Sequence, residues 1–530
     1  MRKVFKWIAA LLAAVLMIGC VACAEDVPSL PDGGSVGNFS GKLNIFVFDG
    51  GYKDEWLKNI KTAYIKKNPR VKIDIKCHFD SQTQLSNLEV GTSQYDILFL
   101  TDNMFNLVKR QKLLDLTEVY EFAEEGKKPL KDRMDSVYVD NFRMEDGKYY
   151  LMPWADSQEG LVYNKTVADK LFPNGMPLPR TTDELIEIFK QIGDRAYPFV
   201  YSGQNDYLPY LFIPFWAQYE GMDAYNAFYE GYYFDESGNK VFDKTGEKVS
   251  SQQGRLRALE AVEQIVLKTN GYCHKDVESM KYIDAQLAFL GQGYNGDNKE
   301  CVFSVNGEWM ENETSFALED KKQEVRFCRM PVMSSVKEKL ASIPDDRDDI
   351  LRAVVDYADA VIDGKTAVKT ELMSGVTDED IQWVVNARRM VNSVGADHNV
   401  GINGATKVKN LAIDFMKFLT TEEAARIYTK TLNGVKLPYG AYDPLADSEA
   451  VIGEFQRSKQ ESYRDCIPVW QARKPILVFR GGFAAFREKF GVEMNKGVWS
   501  AKKIFDDNNA YNRSNWTNMV KQAGLADLLK

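Results

Sequence analysis

From residue 43 to residue 100 the chain alternates apolar, strand-like runs with stretches of helical period, and this alternation restricts its fold more than any other feature. Residues 43–48 (LNIFVF) form a short apolar strand that breaks at the turn-prone Asp49-Gly50-Gly51. Trp56, Ile60 and Ala63 then recur at helical spacing until Asn68-Pro69 stops them. Residues 71–75 (VKIDI) alternate like a strand, a second helical stretch follows, and residues 96–100 (DILFL) are apolar enough for a buried strand. A β-α-β-α-β opening predicts an α/β lobe with helices on both faces of a sheet. Ligands of such sheets bind beyond the carboxyl ends of the strands. Here those ends carry Asp49 to Tyr52, Asp80 to Gln82, and Thr101 to Asn103, with Asp102 between.

The pattern returns further along. Residues 149–152 and 161–163 are strand-like, separated by Pro153-Trp154-Ala155-Asp156-Ser157. Thr181-x-x-Glu184 opens a helix with a capping box, and Thr420-x-x-Glu423 has the same form before a later one. Residues 301–305 (CVFSV) are a strand ending at Asn306-Gly307-Glu308-Trp309. Val408, Leu411, Ala412, Phe415 and Leu419 mark an amphipathic helix. Two α/β lobes account for this economically. Residues 333–395 break the alternation with two helical stretches and read as a helical insertion packed on one lobe.

Charge and cysteine usage exclude several classes. In 530 residues, 67 Lys+Arg stand against 76 Asp+Glu, a net charge of −9, which argues against a broad basic face and a nucleic-acid partner. The three histidines, His78, His274 and His398, lie far apart and offer little for a histidine-rich metal site, so no metal or cofactor is expected. Cys77, Cys273, Cys301, Cys328 and Cys466 have no zinc spacing and read as inert thiols.

The first segment sets the compartment. Arg2, Lys3 and Lys6 precede the apolar residues 7–19, too short a run to span a bilayer at about 20 residues, and read as an export signal. Met17-Ile18-Gly19-Cys20 resembles a bacterial lipobox, in which Cys20 is acylated and becomes the new N-terminus; cleavage after Ala22-Cys23-Ala24 is the rival. Loss of residues 1–19 removes three positive charges and takes the net charge from −9 to −12. Residues 20–41 then form a flexible tether, and two or more acyl chains give a stable membrane anchor.

Two motif matches fail on context. Gly33-Gly34-Ser35-Val36-Gly37 fits the serine-hydrolase elbow but lies in the tether, with no strand before it and no helix after it. The run from Gly291 to Gly296 (GQGYNG) fits a dinucleotide fingerprint but has a helical stretch before it and a strand after it, the reverse of what the fingerprint needs. The aromatic pieces say more. Trp154, beside Asp156, and Trp309, beside Glu308, each follow a strand directly. An indole can cover the apolar face of a sugar ring while neighbouring carboxylates accept its hydroxyl hydrogens. Chemistry alone leaves packing equally open for both tryptophans.

Residues 147–165 (GKYYLMPWADSQEGLVYNK) resemble the first interlobe crossing of family 1 extracellular solute-binding proteins, the group that contains the maltose-binding protein. Residues 301–312 (CVFSVNGEWMEN) resemble its strand-Asn-Gly-x-Trp element, 408–425 its late helix and capped follower, and 327–334 (FCRMPVMS) its second crossing strand. The third crossing would then fall near 434–445. The resemblance implies an α/β, two-lobed periplasmic-binding-protein-like fold with hinge crossings: lobe 1 from 42–153 and 332–435, the insertion included, and lobe 2 from 154–331 and 436–530. It implies a lipid-anchored, monomeric protein that closes over a carbohydrate and delivers it to the permease subunits of an ABC transporter, without catalysis. Trp309 matches the stacking tryptophan, Asp102 and Asn103 the polar sugar contacts, and Gln204, Asp206 and Tyr207 the contact loop of the second lobe. Ser157 stands where the maltose-binding member has an acid and Leu100 where it has a tryptophan, which argues against maltose. A lipid-anchored glycoside hydrolase and a surface glycan-binding protein without a transporter are the alternatives.

Overall fold

The computed structural model describes residues 39–530 apart from 102–103, 206, 396, 471–473 and 487–488. The signal, the lipobox with Cys20 and nearly all of the tether lie outside the described residues, as do Asp102, Asn103 and Asp206.

In chain order the strands are β1 (Gly41–Phe48), β2 (Val71–His78), β3 (Ile97–Leu100), β4 (Met152–Pro153), β5 (Gln158–Asn164), β6 (Tyr197–Val200), the hairpin β7 (Tyr232–Phe234) and β8 (Lys240–Phe242), β9 (Cys301–Gly307), β10 (Val325–Phe327), β11 (Met390–Ser393), β12 (Asn399–Ile402) and β13 (Ile467–Val469). They build two main sheets, ordered β2-β1-β3-β12-β4 and β13-β11-β5-β9-β6, with β10 also paired to β5. β1 runs parallel to both β2 and β3. It lies inside its sheet with helices on both faces, and for that reason Ile45, Phe46 and Val47 are consecutive and all buried. Helix Glu55–Lys67 turns Trp56, Leu57, Ile60 and Tyr64 into this first core.

The caps follow the sequence closely, with two differences. Thr181 Oγ1 accepts from the Glu184 amide at 3.2 Å, but the Glu184 carboxylate reaches back to the Arg180 amide at 2.7 Å rather than to Thr181. Helix Glu422–Thr431 is capped by Thr421, one residue later than expected, which accepts from the Ala424 amide.

Two larger differences concern lobe assignment. The second passage between the sheets is not at 327–334: β10 pairs with β5, and Phe327, Cys328, Met330, Val332 and Met333 are buried in the core of the second sheet. The chain leaves that sheet only after β11 and enters the first at β12, so the passage is 394–398. Accordingly, helices Asp348–Ile362 and Asp378–Arg389 of the insertion belong to lobe 2, not to the 332–435 part of lobe 1. A partly buried ion pair joins the two helices, and a hydrogen bond to Met330 ties them to this core. Arg388 donates to both Asp359 carboxylate oxygens at 2.9 and 3.0 Å and to the Met330 carbonyl at 2.7 Å. The last passage runs from Tyr439, in the first core, to Phe455, in the second. Burial pushes the Cys328 and Cys466 thiols up to about 12, so neither is a thiolate at neutral pH.

Candidate functional site

The lobes meet at the carboxyl ends of β1 and β9. Trp309 follows β9 and is carried by lobe 2, yet it packs into the core of lobe 1 and is 8% exposed. Its ring centroid lies 6.3 Å from Tyr52, 6.3 Å from Tyr210 and 6.3 Å from the nearly parallel ring of His398. Two glycines allow this. A Cβ on Gly307 would sit 2.4 Å from the far edge of the indole, which folds back over that residue, and a Cβ on Gly51 would sit 2.3 Å from the Trp309 Cβ across the lobe boundary. Asn312 also donates from Nδ2 to the Gly51 carbonyl. Neither Cβ can swing aside, so Gly51→Ala is expected to hold the lobes apart. At the usual overpacking cost of about 1–3 kcal/mol, ligand affinity falls roughly five- to hundredfold. With saturating sugar, solution scattering of the variant should give a larger radius of gyration than wild type.

Next to Trp309 in the chain, Glu308 anchors a buried polar network. Glu308 is 0% exposed and Lys459 2%. The Lys459 ammonium binds Glu308 Oε2 and faces Asp156 Oδ2 at 3.7 Å. Tyr52 Oη donates to Glu308 Oε1 at 2.7 Å, which leaves the Ser157 hydroxyl to donate to Tyr52 Oη at 2.9 Å. The Ser157 amide donates to the same Glu308 oxygen at 3.1 Å, held there by a left-handed backbone, φ 47°, uncommon outside glycine. Gln456 Nε2 donates to the Glu308 carbonyl at 2.7 Å.

The charges are set by this company. Burial pulls the Lys459 ammonium down, but Glu308 and then Asp156 outweigh it and hold it above its ordinary value. Burial alone would raise the Asp156 carboxyl; Lys459, then Lys436, together with hydrogen bonds hold it below the usual carboxylate range. Burial first, then Glu308, pushes the Tyr52 phenol well above its ordinary value, so it remains a donor.

Of the residues singled out from sequence, Tyr52, Asp156, Ser157, Glu308 and Trp309 converge here. Tyr207 is half-buried beside Tyr210, with ring centroids 5.0 Å apart, at the same boundary. Asp49 is exposed at the end of β1 and takes no part in the network. Trp154 offers no face to a ligand. It is 0% exposed, stacked on Trp56 with ring centroids 5.9 Å apart, and donates from Nε1 to the Leu100 carbonyl at 2.9 Å. Its edge supports the Tyr52 ring at 5.4 Å, so it acts through Tyr52. Sequence reasoning missed Lys459, Gln456, His398 and Tyr210. Only Tyr210 left a trace there, in the aromatic-rich stretch that follows Tyr207.

Residues 50–342, more than half of the chain, match the family model described as Bacterial extracellular solute-binding protein. The chain belongs to this family. Among relatives of this solute-binding protein, Diacetylchitobiose binding protein DasA of Streptomyces coelicolor is 28% identical over 213 residues, 38% of this chain and 46% of that one. The match thus spans about half the length of that relative. Two solved structures share the fold over nearly the whole chain. A chitin oligosaccharide binding protein, 15% identical, covers 92% of this chain and 99% of its own with a TM-score of 0.58. The apo form of RafE from Streptococcus pneumoniae, 14% identical, covers 90% of this chain and 100% of its own with a TM-score of 0.56. A solute-binding protein of this extracellular family works outside the cytoplasm.

Proposed function

We propose that this chain captures a carbohydrate, of oligosaccharide size, between its two lobes and delivers it to the permease subunits of an ABC importer. One observation carries the reading. Trp309, Tyr210 and Tyr52 cluster where the two lobes meet, and the same boundary holds the polar network of Glu308, Ser157 and Lys459. Aromatic faces match the apolar side of a sugar ring, and fixed polar groups around them match its hydroxyls. The names of the relatives, a diacetylchitobiose binder and a chitin oligosaccharide binder, point to the same ligand class. On this reading Asp49 borders the rim of the site. The protein acts by binding and release, as a monomer, without a cofactor and without turnover. Titration calorimetry against diacetylchitobiose, raffinose and maltotriose tests it: saturable one-to-one binding of at least one, with the sugar recovered intact, is expected. Hydrolysis of the sugar would transfer the site to a glycoside hydrolase.

The mature protein is held at the membrane by lipid on Cys20, because an apolar run ending Met17-Ile18-Gly19 precedes that cysteine and a polar tether follows it. Intact-mass measurement of membrane-extracted protein should show residues 1–19 gone and a diacylglyceryl-sized addition. A soluble product beginning at Glu25 would contradict this.

A further inference from the structure

Glu159 lies in the crossing strand β5 opposite Gly307 of β9 on one side and Asn392 of β11 on the other. Residues directly opposite in antiparallel strands share a face, and the indole of Trp309 folds over Gly307 on that face. The Glu159 carboxyl and the indole therefore lie on the same face of the sheet. Its strand neighbour Gln158 points the other way, into a cavity of about 780 Å³ that is also lined by Asp156, Lys459, Tyr138 and Lys436. Glu159 is fully buried. Oε2 accepts from Asn392 Nδ2 at 2.8 Å, while Oε1 has no hydrogen-bond partner among the described residues.

A buried carboxyl oxygen without a partner costs stability, and packing alone gives no reason to keep one where an apolar side chain of the same size would fit. We propose that Glu159 is a ligand-contacting, specificity-determining residue, whose Oε1 is reserved for a polar group of the bound carbohydrate. Burial raises the carboxyl well above its usual range, against the Asn392 hydrogen bond, and protonated or not its Oε1 can accept a hydrogen bond. A sugar hydroxyl or acetamido group fits that capacity. A site built around such a hydrogen bond rejects an analogue lacking the group more strongly than an apolar pocket rejects a missing methylene.

The inference rests on the carbohydrate reading above, and its test separates the two. Wild type, Glu159→Leu and Glu159→Gln are titrated with diacetylchitobiose, raffinose and maltotriose, and their melting temperatures are taken without sugar. For the sugar that wild type binds tightest, Glu159→Leu is expected to lose about tenfold or more in affinity, the range of a lost buried hydrogen bond. Glu159→Gln keeps an acceptor for Asn392 and is expected to fold as wild type does, while the order of preference among the three sugars changes. Both variants binding every sugar within twofold of wild type would overturn the assignment, whatever their melting temperatures. Wild type binding none of the three sugars would instead overturn the carbohydrate reading itself.

Discussion

Lys459→Met is expected to destabilise the protein by about 3–5 kcal/mol, the usual cost of removing one partner from a buried ion pair. Glu308 is fully buried, and its carboxylate has three partners: the Lys459 ammonium, the Tyr52 hydroxyl and the Ser157 amide. Methionine fills the volume of the lysine stem but leaves the anion with two neutral donors, and Asp156 loses the cation that holds its carboxyl down. The damage comes from the stranded charge rather than from lost attraction. Lys459→Met combined with Glu308→Gln should therefore recover most of the loss, because the neutral amide no longer needs a cation. Urea unfolding followed by tryptophan fluorescence reads both variants. A single-variant loss below about 1 kcal/mol, the range of an exposed pair, would contradict a buried one.

Trp309→Ala is expected to weaken sugar binding at least about thirtyfold while leaving the apo melting temperature within a few degrees of wild type. Truncation of a tryptophan at the centre of an interface commonly costs about 2 kcal/mol or more, and about 1.4 kcal/mol is tenfold in affinity. The contacts of Trp309 explain why folding is spared. Tyr52 and Gly51 lie across the lobe boundary and His398 in the passage between the sheets, so Trp309 is buried against lobe 1 only when the lobes are closed. Trp154 is the control. It is packed against Trp56 and Phe99 inside lobe 1, and Trp154→Ala should cost about 3–5 kcal/mol of stability. If Trp309→Ala instead melts many degrees lower and the folded fraction binds normally, its role is structural.

The contrast between these tryptophans also marks what the sequence could convey. Both follow a strand, both have an acidic neighbour, and locally they look alike. What separates them is the company brought by distant segments: Trp56 and Phe99 bury one, while Gly51 and Gly307 let the other lie at the lobe boundary. The strands β1 and β3 were legible because a strand covered on both faces must be a continuous apolar run. Lys459 was not. In helix Glu454–Ser462 (EFQRSKQES) it looks like part of a solvated face, and its partner Glu308 is 151 residues away. The second crossing was misplaced for a related reason. The apolar residues 327–333 have the composition of a crossing strand, but the insertion follows them within the same lobe, and the true passage at 394–398 (VGADH) carries no apolar signal.

Solution scattering with and without a bound sugar tests the central claim, closure of two lobes over a carbohydrate, most directly. With the sugar that binds tightest at saturation, the radius of gyration should fall and the curve should match the arrangement in which Tyr52 meets Glu308 and Gly51 meets Trp309. A scattering curve unchanged by a sugar whose binding calorimetry has established would contradict it.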